Sequence, residues 1–107
     1  MQPIKALELF TRLSKGESLN LLDVREEIEF STYNIGGKNI PLSKIIENID
    51  HAGYNKTDEI IVICMVGLRS ETASNMLIEK GYRRARNLAG GLLALQKLNR
   101  QKHFHNG

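Results

Sequence analysis

Apolar positions in the first part of the chain switch between helical and strand-like spacing. Pro3 suits a first helical turn, and the apolar residues that follow it recur near the helical period until Gly16. A mostly buried strand is predicted from Leu19 to Val24. The acidic run that follows suits the first turns of a short helix and consists of Glu26, Glu27 and Glu29.

The middle of the chain reads as a loop followed by a short helix. Two glycines mark the segment from Tyr33 to Pro41 as a loop, and an extended piece is predicted near Asn39 to Leu42. Ser43 is predicted to cap a helix that runs towards Asp50. The apolar residues expected on the inner face of this helix are Ile45, Ile46 and Ile49.

The second half repeats the order strand, loop, helix. A β-branched apolar run from Glu59 to Cys64 is typical of a central parallel strand covered on both faces. Ser70 is predicted to cap the next helix, which ends at Gly81. A last strand is predicted near 86–88 and a last helix near 92–98, with 103–107 fraying. This alternation indicates an α/β fold that contains a parallel sheet.

Composition and length are those of one ordinary globular domain. The chain has 107 residues, of which 41% are hydrophobic and 25% charged, so a single domain over 1–107 is expected. The longest apolar run is far too short to cross a bilayer, and the N-terminus lacks the pattern of an export signal. With Cys64 as the only cysteine, no internal disulfide can form, and a free thiol suits a reducing, cytoplasmic compartment.

Charge and histidine content argue against nucleic-acid and metal binding. The net charge is +3, and the few aromatic residues are not interleaved with basic ones, so no nucleic-acid partner is expected. The basic excess suits solvated surface, anionic substrates or acidic partner proteins. His103 and His105 have no third ligand in view, and no metal site is expected.

Cys64 is the residue whose position points to chemistry. Binding sites in parallel sheets form beyond the carboxyl ends of the strands, where this cysteine falls. The segment Met65–Ser70, here called the Cys64 loop, could aim backbone N–H groups and a helix start at the sulfur, and Gly67 allows the tight turn that this needs. These donors and Arg69 favour the thiolate. The hypothesis requires a sulfur that is reachable from solvent.

Each of these residues also has a structural interpretation. A lone cysteine is usually a small core residue, and Arg69 could brace the loop by pairing with a carboxylate instead of contacting substrate. Asp23 and Arg25, with Glu29 four residues beyond, are interpreted as a structural ion-pair network.

Four segments resemble the signatures of the rhodanese family. Cys64-Met65-Val66-Gly67-Leu68-Arg69-Ser70 is similar to its active-site loop, which has the form Cys-x-x-Gly-x-Arg-Ser. The other three segments occur in the family's order and are 22–25 with 29–30, 39–42 and 87–91. The resemblance implies a rhodanese-like fold with a central, mostly parallel five-stranded sheet flanked by helices on both faces. It also implies sulfurtransferase or persulfide-carrier chemistry at Cys64.

The implied reaction takes a sulfane sulfur onto Cys64 as a persulfide and passes it to a nucleophilic acceptor. The substrate-binding loop consists of Met65, Val66, Gly67, Leu68, Arg69 and Ser70. No cofactor is needed, and the expected partners are a small-molecule or protein persulfide donor and a thiol or sulfur-carrier protein acceptor. Met65 and Leu68 replace residues that are often cationic or polar in thiosulfate-using members, so weak use of thiosulfate and a protein-bound donor are predicted. Asn34 stands where a histidine is common.

Two other functions are compatible with the sequence. Cysteine phosphatases and arsenate reductases also place a thiolate in an anion cup, but they resemble one another in having five residues between cysteine and arginine. Here only Met65 to Leu68 intervene, so a phosphate should fit poorly. A rhodanese-like domain can also serve as a non-catalytic interaction module, although the retained Cys64 favours catalysis.

Overall fold

One parallel sheet organises the chain. The computed structural model describes the backbone of residues 2–106 and the side chains of residues 2–101. The strands within this range are β1 (Leu21–Asp23), β2 (Lys38–Asn39), β3 (Ile60–Ile63) and β4 (Ala85–Asn87). They lie in the order β2-β1-β3-β4, and every neighbouring pair is parallel. The register places Leu22 beside Val62, and Val62 beside Asn87.

Helices connect the strands and cover both faces of the sheet. They are α1 (Ala6–Ser14), α2 (Glu27–Thr32), α3 (Ile45–Asn48), α4 (Leu68–Glu79) and α5 (Gly91–Asn106). Two 3₁₀ turns, Leu42–Lys44 and Ile49–His51, flank α3. Within residues 2–106, no helix is both long enough and apolar enough to pass through a bilayer. The α/β class and the flanked parallel sheet are therefore confirmed.

The expected fifth strand is reduced to one residue. Ile4 forms an isolated parallel bridge to Leu88 at the outer edge of β4. Its N–H donates to the carbonyl oxygen of Asn87 at 2.9 Å, and its own carbonyl accepts from Ala89 at 2.9 Å. Since α1 begins at Ala6, the chain leaves the sheet before a second rung can form. The described residues thus form four strands instead of five, and Ile4 is extended rather than part of the first helix.

Two apolar cores lie on opposite faces of the sheet, and β3 serves both. Side chains alternate along a strand, so Ile60 and Val62 point to one face and Ile61 and Ile63 to the other. The first face packs against α3 and α4, and the second packs against α1 and α5. The same alternation carries Cys64 onto the face covered by α4.

Several local predictions need correction. Ser43 lies inside a 3₁₀ turn instead of capping a helix, and Ile46 is 49% exposed instead of facing the core. Gly67 is the N-cap of α4, so Ser70 lies inside the first turn. The last helix extends well beyond the predicted 92–98. The fraying expected at 103–107 and the side chains of His103 and His105 concern positions outside the described side chains and stay predictions.

Candidate active site at Cys64

Cys64 follows β3 directly, and the chain turns sharply behind it into α4. Gly67 makes this turn with φ 97°, in the left-handed region that favours glycine. The start of α5 holds the same segment through two backbone hydrogen bonds. The N–H of Leu92 donates to the Cys64 carbonyl at 2.9 Å, and the N–H of Leu93 donates to the Met65 carbonyl at 3.0 Å. Gly91 allows this approach, because a Cβ there would lie only 2.4 Å from the Met65 oxygen.

Three donor or hydroxyl groups converge on the sulfur. The N–H groups of Gly67 and Ser70 lie 3.1 and 3.3 Å from Cys64 Sγ, and the Ser70 hydroxyl oxygen lies 3.2 Å from it. Both N–H groups belong to the start of α4, whose first amides have no acceptor inside the helix. The positive end of the helix dipole therefore faces the sulfur.

These contacts outweigh the effect of burial on the thiol. Burial by itself raises the pKa of Cys64. The N–H groups of Ser70, Gly67 and Val66 lower it, as does the Ser70 hydroxyl when its proton faces the sulfur, and the net pKa lies below the ordinary cysteine value. The geometry therefore favours a thiolate more than an ordinary core cysteine does.

The sulfur is nevertheless covered. Cys64 is 0% exposed, so the expectation of a sulfur reachable from solvent is wrong for this conformation. Gly67 and Ser70 of the Cys64 loop contact the sulfur, and the Cys64 side chain belongs to the buried core under α4, whereas Val66 and Leu68 are 50% and 72% exposed.

Arg69 does not point freely into the site. Its guanidinium makes two hydrogen bonds to the Glu29 carboxylate, at 2.6 and 3.0 Å, and so ties α4 to α2. The Arg69 hydrogen bond and the N–H of Glu26 lower the pKa of Glu29 to about 2. Glu29, which the sequence placed with Arg25, is paired with the loop arginine instead. This is the bracing geometry that the sequence left open as an alternative to substrate contact.

Asp23 and Arg25 form a buried ion pair at the carboxyl end of β1. The guanidinium contacts the carboxylate at 2.9 to 3.2 Å and also donates to the Tyr33 carbonyl at 2.6 Å. Asn39 donates from its side-chain amide to the carbonyls of both residues. The pair thus joins β1, β2 and the segment after α2, next to the Glu29 and Arg69 contact.

Comparison with known proteins agrees with this geometry. The rhodanese-like domain family matches residues 6–98. The chain belongs to the rhodanese-like domain family. It is 36% identical over 92 residues to YrkF of Bacillus subtilis, named as a sulfur carrier protein, covering 84% of this chain and 49% of YrkF. The chain thus spans about half the length of that relative.

Other rhodanese-like relatives match over most of their length. Thiosulfate sulfurtransferase PspE of Escherichia coli is 35% identical over 88 residues, with 81% of this chain and 84% of PspE covered. The crystal structure of a rhodanese-like domain protein from Staphylococcus aureus superimposes with a TM-score of 0.78 at 29% identity. That match covers 89% of this chain and 91% of the other.

The remaining loop residues of this rhodanese-like domain divide between its core and its surface. Met65 packs against the core under α1 and α5, whereas Val66 and Leu68 are exposed. The sequence missed Asn87, whose side chain accepts a hydrogen bond from Ser70 directly behind the sulfur. The available signal was its place at the start of the last family signature, 87–91.

Proposed function

We propose that this domain is a sulfurtransferase or persulfide carrier that uses Cys64 as its nucleophile. The Cys64 thiolate attacks the outer sulfur of a sulfane donor. The donor's sulfur–sulfur bond breaks, and the leaving group departs with the electron pair. An acceptor thiolate then attacks the terminal sulfur of the persulfide, and Cys64 leaves as a thiolate.

The observation that carries the proposal is the pair of N–H groups from Gly67 and Ser70 on the sulfur. The terminal sulfur of a persulfide is anionic and lies one bond further out than Sγ. The first-turn amides of Leu68 and Arg69 also have no acceptor within α4, and in this proposal they donate to that outer sulfur. A loop that stabilises the thiolate can therefore stabilise the loaded form as well.

Opening of the Cys64 loop is part of the proposed reaction because the sulfur is covered. The contact between Arg69 and Glu29 holds the loop against α2 and should resist opening. Glu29→Gln removes one charge of this pair. We expect thiol reagents to modify Cys64 several-fold faster in this variant, measured at a pH at which the thiol is fully ionised.

A matched control lies on the same helix. Glu27→Gln removes an exposed carboxylate whose contact with Lys44 is 3.6 Å and does not involve the Cys64 loop. Equal reaction rates in the wild type and in both variants would contradict the role of the pair between Arg69 and Glu29 in loop opening.

Charge around the site favours a protein persulfide over thiosulfate as the donor. The only cation of the Cys64 loop, Arg69, is paired with a carboxylate. The exposed loop side chains Val66 and Leu68 are apolar. Acidic residues outnumber basic ones in the ranges 23–29 and 64–71; these are Asp23, Glu26, Glu27, Glu29 and Glu71 against Arg25 and Arg69. A dianion such as thiosulfate gains little here, whereas a protein with apolar and basic side chains beside its persulfide is complementary.

The experiment is an intact-mass measurement after incubation with sulfane donors. The wild type is expected to gain the mass of one sulfur atom, and Cys64→Ala to gain none. A protein persulfide is expected to load the domain faster than thiosulfate at equal concentration. Efficient turnover with thiosulfate, the donor in the name of PspE, would overturn the donor preference but not the sulfur transfer.

The covered sulfur supports one alternative, a non-catalytic interaction module. Cys64 lies among buried apolar side chains and is 0% exposed, as a purely structural cysteine would be. An unchanged wild-type mass with every donor, together with an unchanged fold, would favour this alternative. Phosphatase chemistry has less support, because the loop arginine is engaged by Glu29 and is not free to bind a phosphate.

A further inference from the structure

A second hydrogen-bonding partner lies behind the sulfur. Asn87 ends β4, is 9% exposed, and accepts a hydrogen bond from the Ser70 hydroxyl at 2.5 Å through its Oδ1. The same hydroxyl oxygen is 3.2 Å from Cys64 Sγ. Ser70 therefore stands between an amide on β4 and the sulfur that follows β3.

The Ser70 hydroxyl has one proton and two neighbours that can accept it. An amide oxygen cannot donate, so a contact of 2.5 Å to Oδ1 requires the proton to lie between the two oxygens. In this arrangement Ser70 turns a lone pair towards Cys64. The lone pair accepts from a thiol S–H and repels a thiolate.

The amides at the start of α4 have the opposite preference. The N–H groups of Gly67 and Ser70 are fixed donors and favour the charged sulfur in every state. The Ser70 hydroxyl can add to them only when its proton turns from Asn87 to the sulfur. The direction of one O–H bond therefore decides whether Ser70 opposes or supports the thiolate.

We propose that Asn87 is a positioning residue that sets the direction of the Ser70 hydroxyl and thereby controls how readily Cys64 loses its proton. When the thiol proton leaves to a base in solution, the Ser70 hydroxyl turns towards the sulfur. This turn breaks the hydrogen bond from Ser70 to Asn87, so Asn87 favours the protonated sulfur. This role deepens the proposed function and rests on it.

Charged groups around Cys64 lie on other elements. Arg69 on α4 is paired with Glu29 on α2, and the buried pair of Asp23 and Arg25 follows β1. None of these side chains is changed by a substitution at position 87 or 70. Their effect on the sulfur is therefore a constant background in the comparison below.

The test measures the pKa of Cys64 from the pH dependence of its alkylation by iodoacetamide. Asn87→Leu cannot accept the Ser70 proton, so the hydroxyl is free for the thiolate. We expect the pKa to fall by about one pH unit, which is about a tenfold increase in reaction rate well below the pKa. Asn87→Asp accepts only and adds a negative charge, so the pKa should rise. Ser70→Ala should also raise it.

The same substitutions in a Ser70→Ala background show whether Asn87 acts through Ser70. There, Asn87→Leu should have no effect, and the rise caused by Asn87→Asp should be smaller because only its charge remains. Ser74→Ala is the matched control, since Ser74 is a buried hydroxyl one turn further along α4 that bonds the Ser70 carbonyl. It should leave the pKa of Cys64 unchanged.

The proposal is overturned if Asn87→Leu leaves the pKa unchanged or raises it, or if its effect is the same without the Ser70 hydroxyl. Should the leucine variant fail to fold, the Asn87→Asp comparison decides alone: an equal rise in both backgrounds refutes the proposal. Alkylation needs no sulfur donor. Loss of persulfide formation with intact pKa shifts would thus refute the proposed function, and the reverse pattern would refute the role of Asn87.

Discussion

Gly67 contributes to stability through its left-handed backbone and to the charge of the sulfur through its N–H group. Gly67→Ala tests both contributions. With φ at 97°, an alanine in this left-handed conformation costs about 1–2 kcal/mol. Its Cβ would also lie 3.1 Å from the backbone nitrogen of Gly90, which cannot move as a side chain can. The variant should therefore lose about 2 kcal/mol or more of its free energy of unfolding, measured by urea denaturation.

The same substitution should weaken the bond from the Gly67 N–H to Cys64. This N–H lies 3.1 Å from the sulfur, and relief of the contact with Gly90 requires the turn to move. Loss of one hydrogen bond to a charged group is worth about 1.5 kcal/mol, which corresponds to a rise of about one pH unit in the thiol pKa. Alkylation rates as a function of pH measure this shift.

Gly36→Ala is the matched control. Gly36 has φ 99° and no heavy atom within 4 Å of a Cβ built on it, so the control carries the conformational cost without the steric contact. We expect it to lose about 1 kcal/mol and to leave the pKa of Cys64 unchanged. The reasoning is refuted if Gly67→Ala is no less stable than Gly36→Ala, or if the two variants have the same thiol pKa.

Two further predictions concern stability. The hydrogen bond from Arg12, opposed by burial and reinforced by Arg86, lowers the pKa of Glu59 to about 2. The stabilisation by the ionised Glu59 is therefore present above pH 4.5 and is lost as pH falls through about 2. At pH 7, Glu59→Gln should lower the free energy of unfolding by about 2 kcal/mol in urea denaturation. This difference from the wild type should disappear between pH 4.5 and about 2. Arg25→Met leaves the Asp23 carboxylate buried and unpaired and should lower the free energy of unfolding by about 3–5 kcal/mol. The double variant Asp23→Leu with Arg25→Met should recover part of this stability, measured by thermal denaturation.

Local sequence patterns predicted the elements that position the sulfur. The β-branched run before Cys64 indicated a central strand because such residues fill a sheet that is covered on both faces. The Cys64 loop and the helix start behind it indicated converging N–H groups, and those of Gly67 and Ser70 do reach the sulfur. These features depend on a few neighbouring residues, so short-range rules were sufficient.

Contacts between distant segments were predicted less well. Glu29 was placed with Arg25, four residues away, but it lies against Arg69, which is 40 residues further along the chain. Ile4 was placed in a helix, yet it pairs with β4. In both cases the local pattern suggested a partner or a helical spacing within a few residues. The folded chain instead places each residue against one far along the sequence, which a local pattern cannot identify.

By itself, the sequence determined the class of fold, the order of the elements, and the chain position of the one cysteine. These follow from periodicity, glycine positions and the presence of a single cysteine. Only the tertiary structure decided that the sulfur is buried, that the arginine of the Cys64 loop is paired, and that Asn87 accepts a hydrogen bond from Ser70. Burial and the partner of a hydrogen bond depend on segments that meet in space, and no local pattern specifies which segments those are.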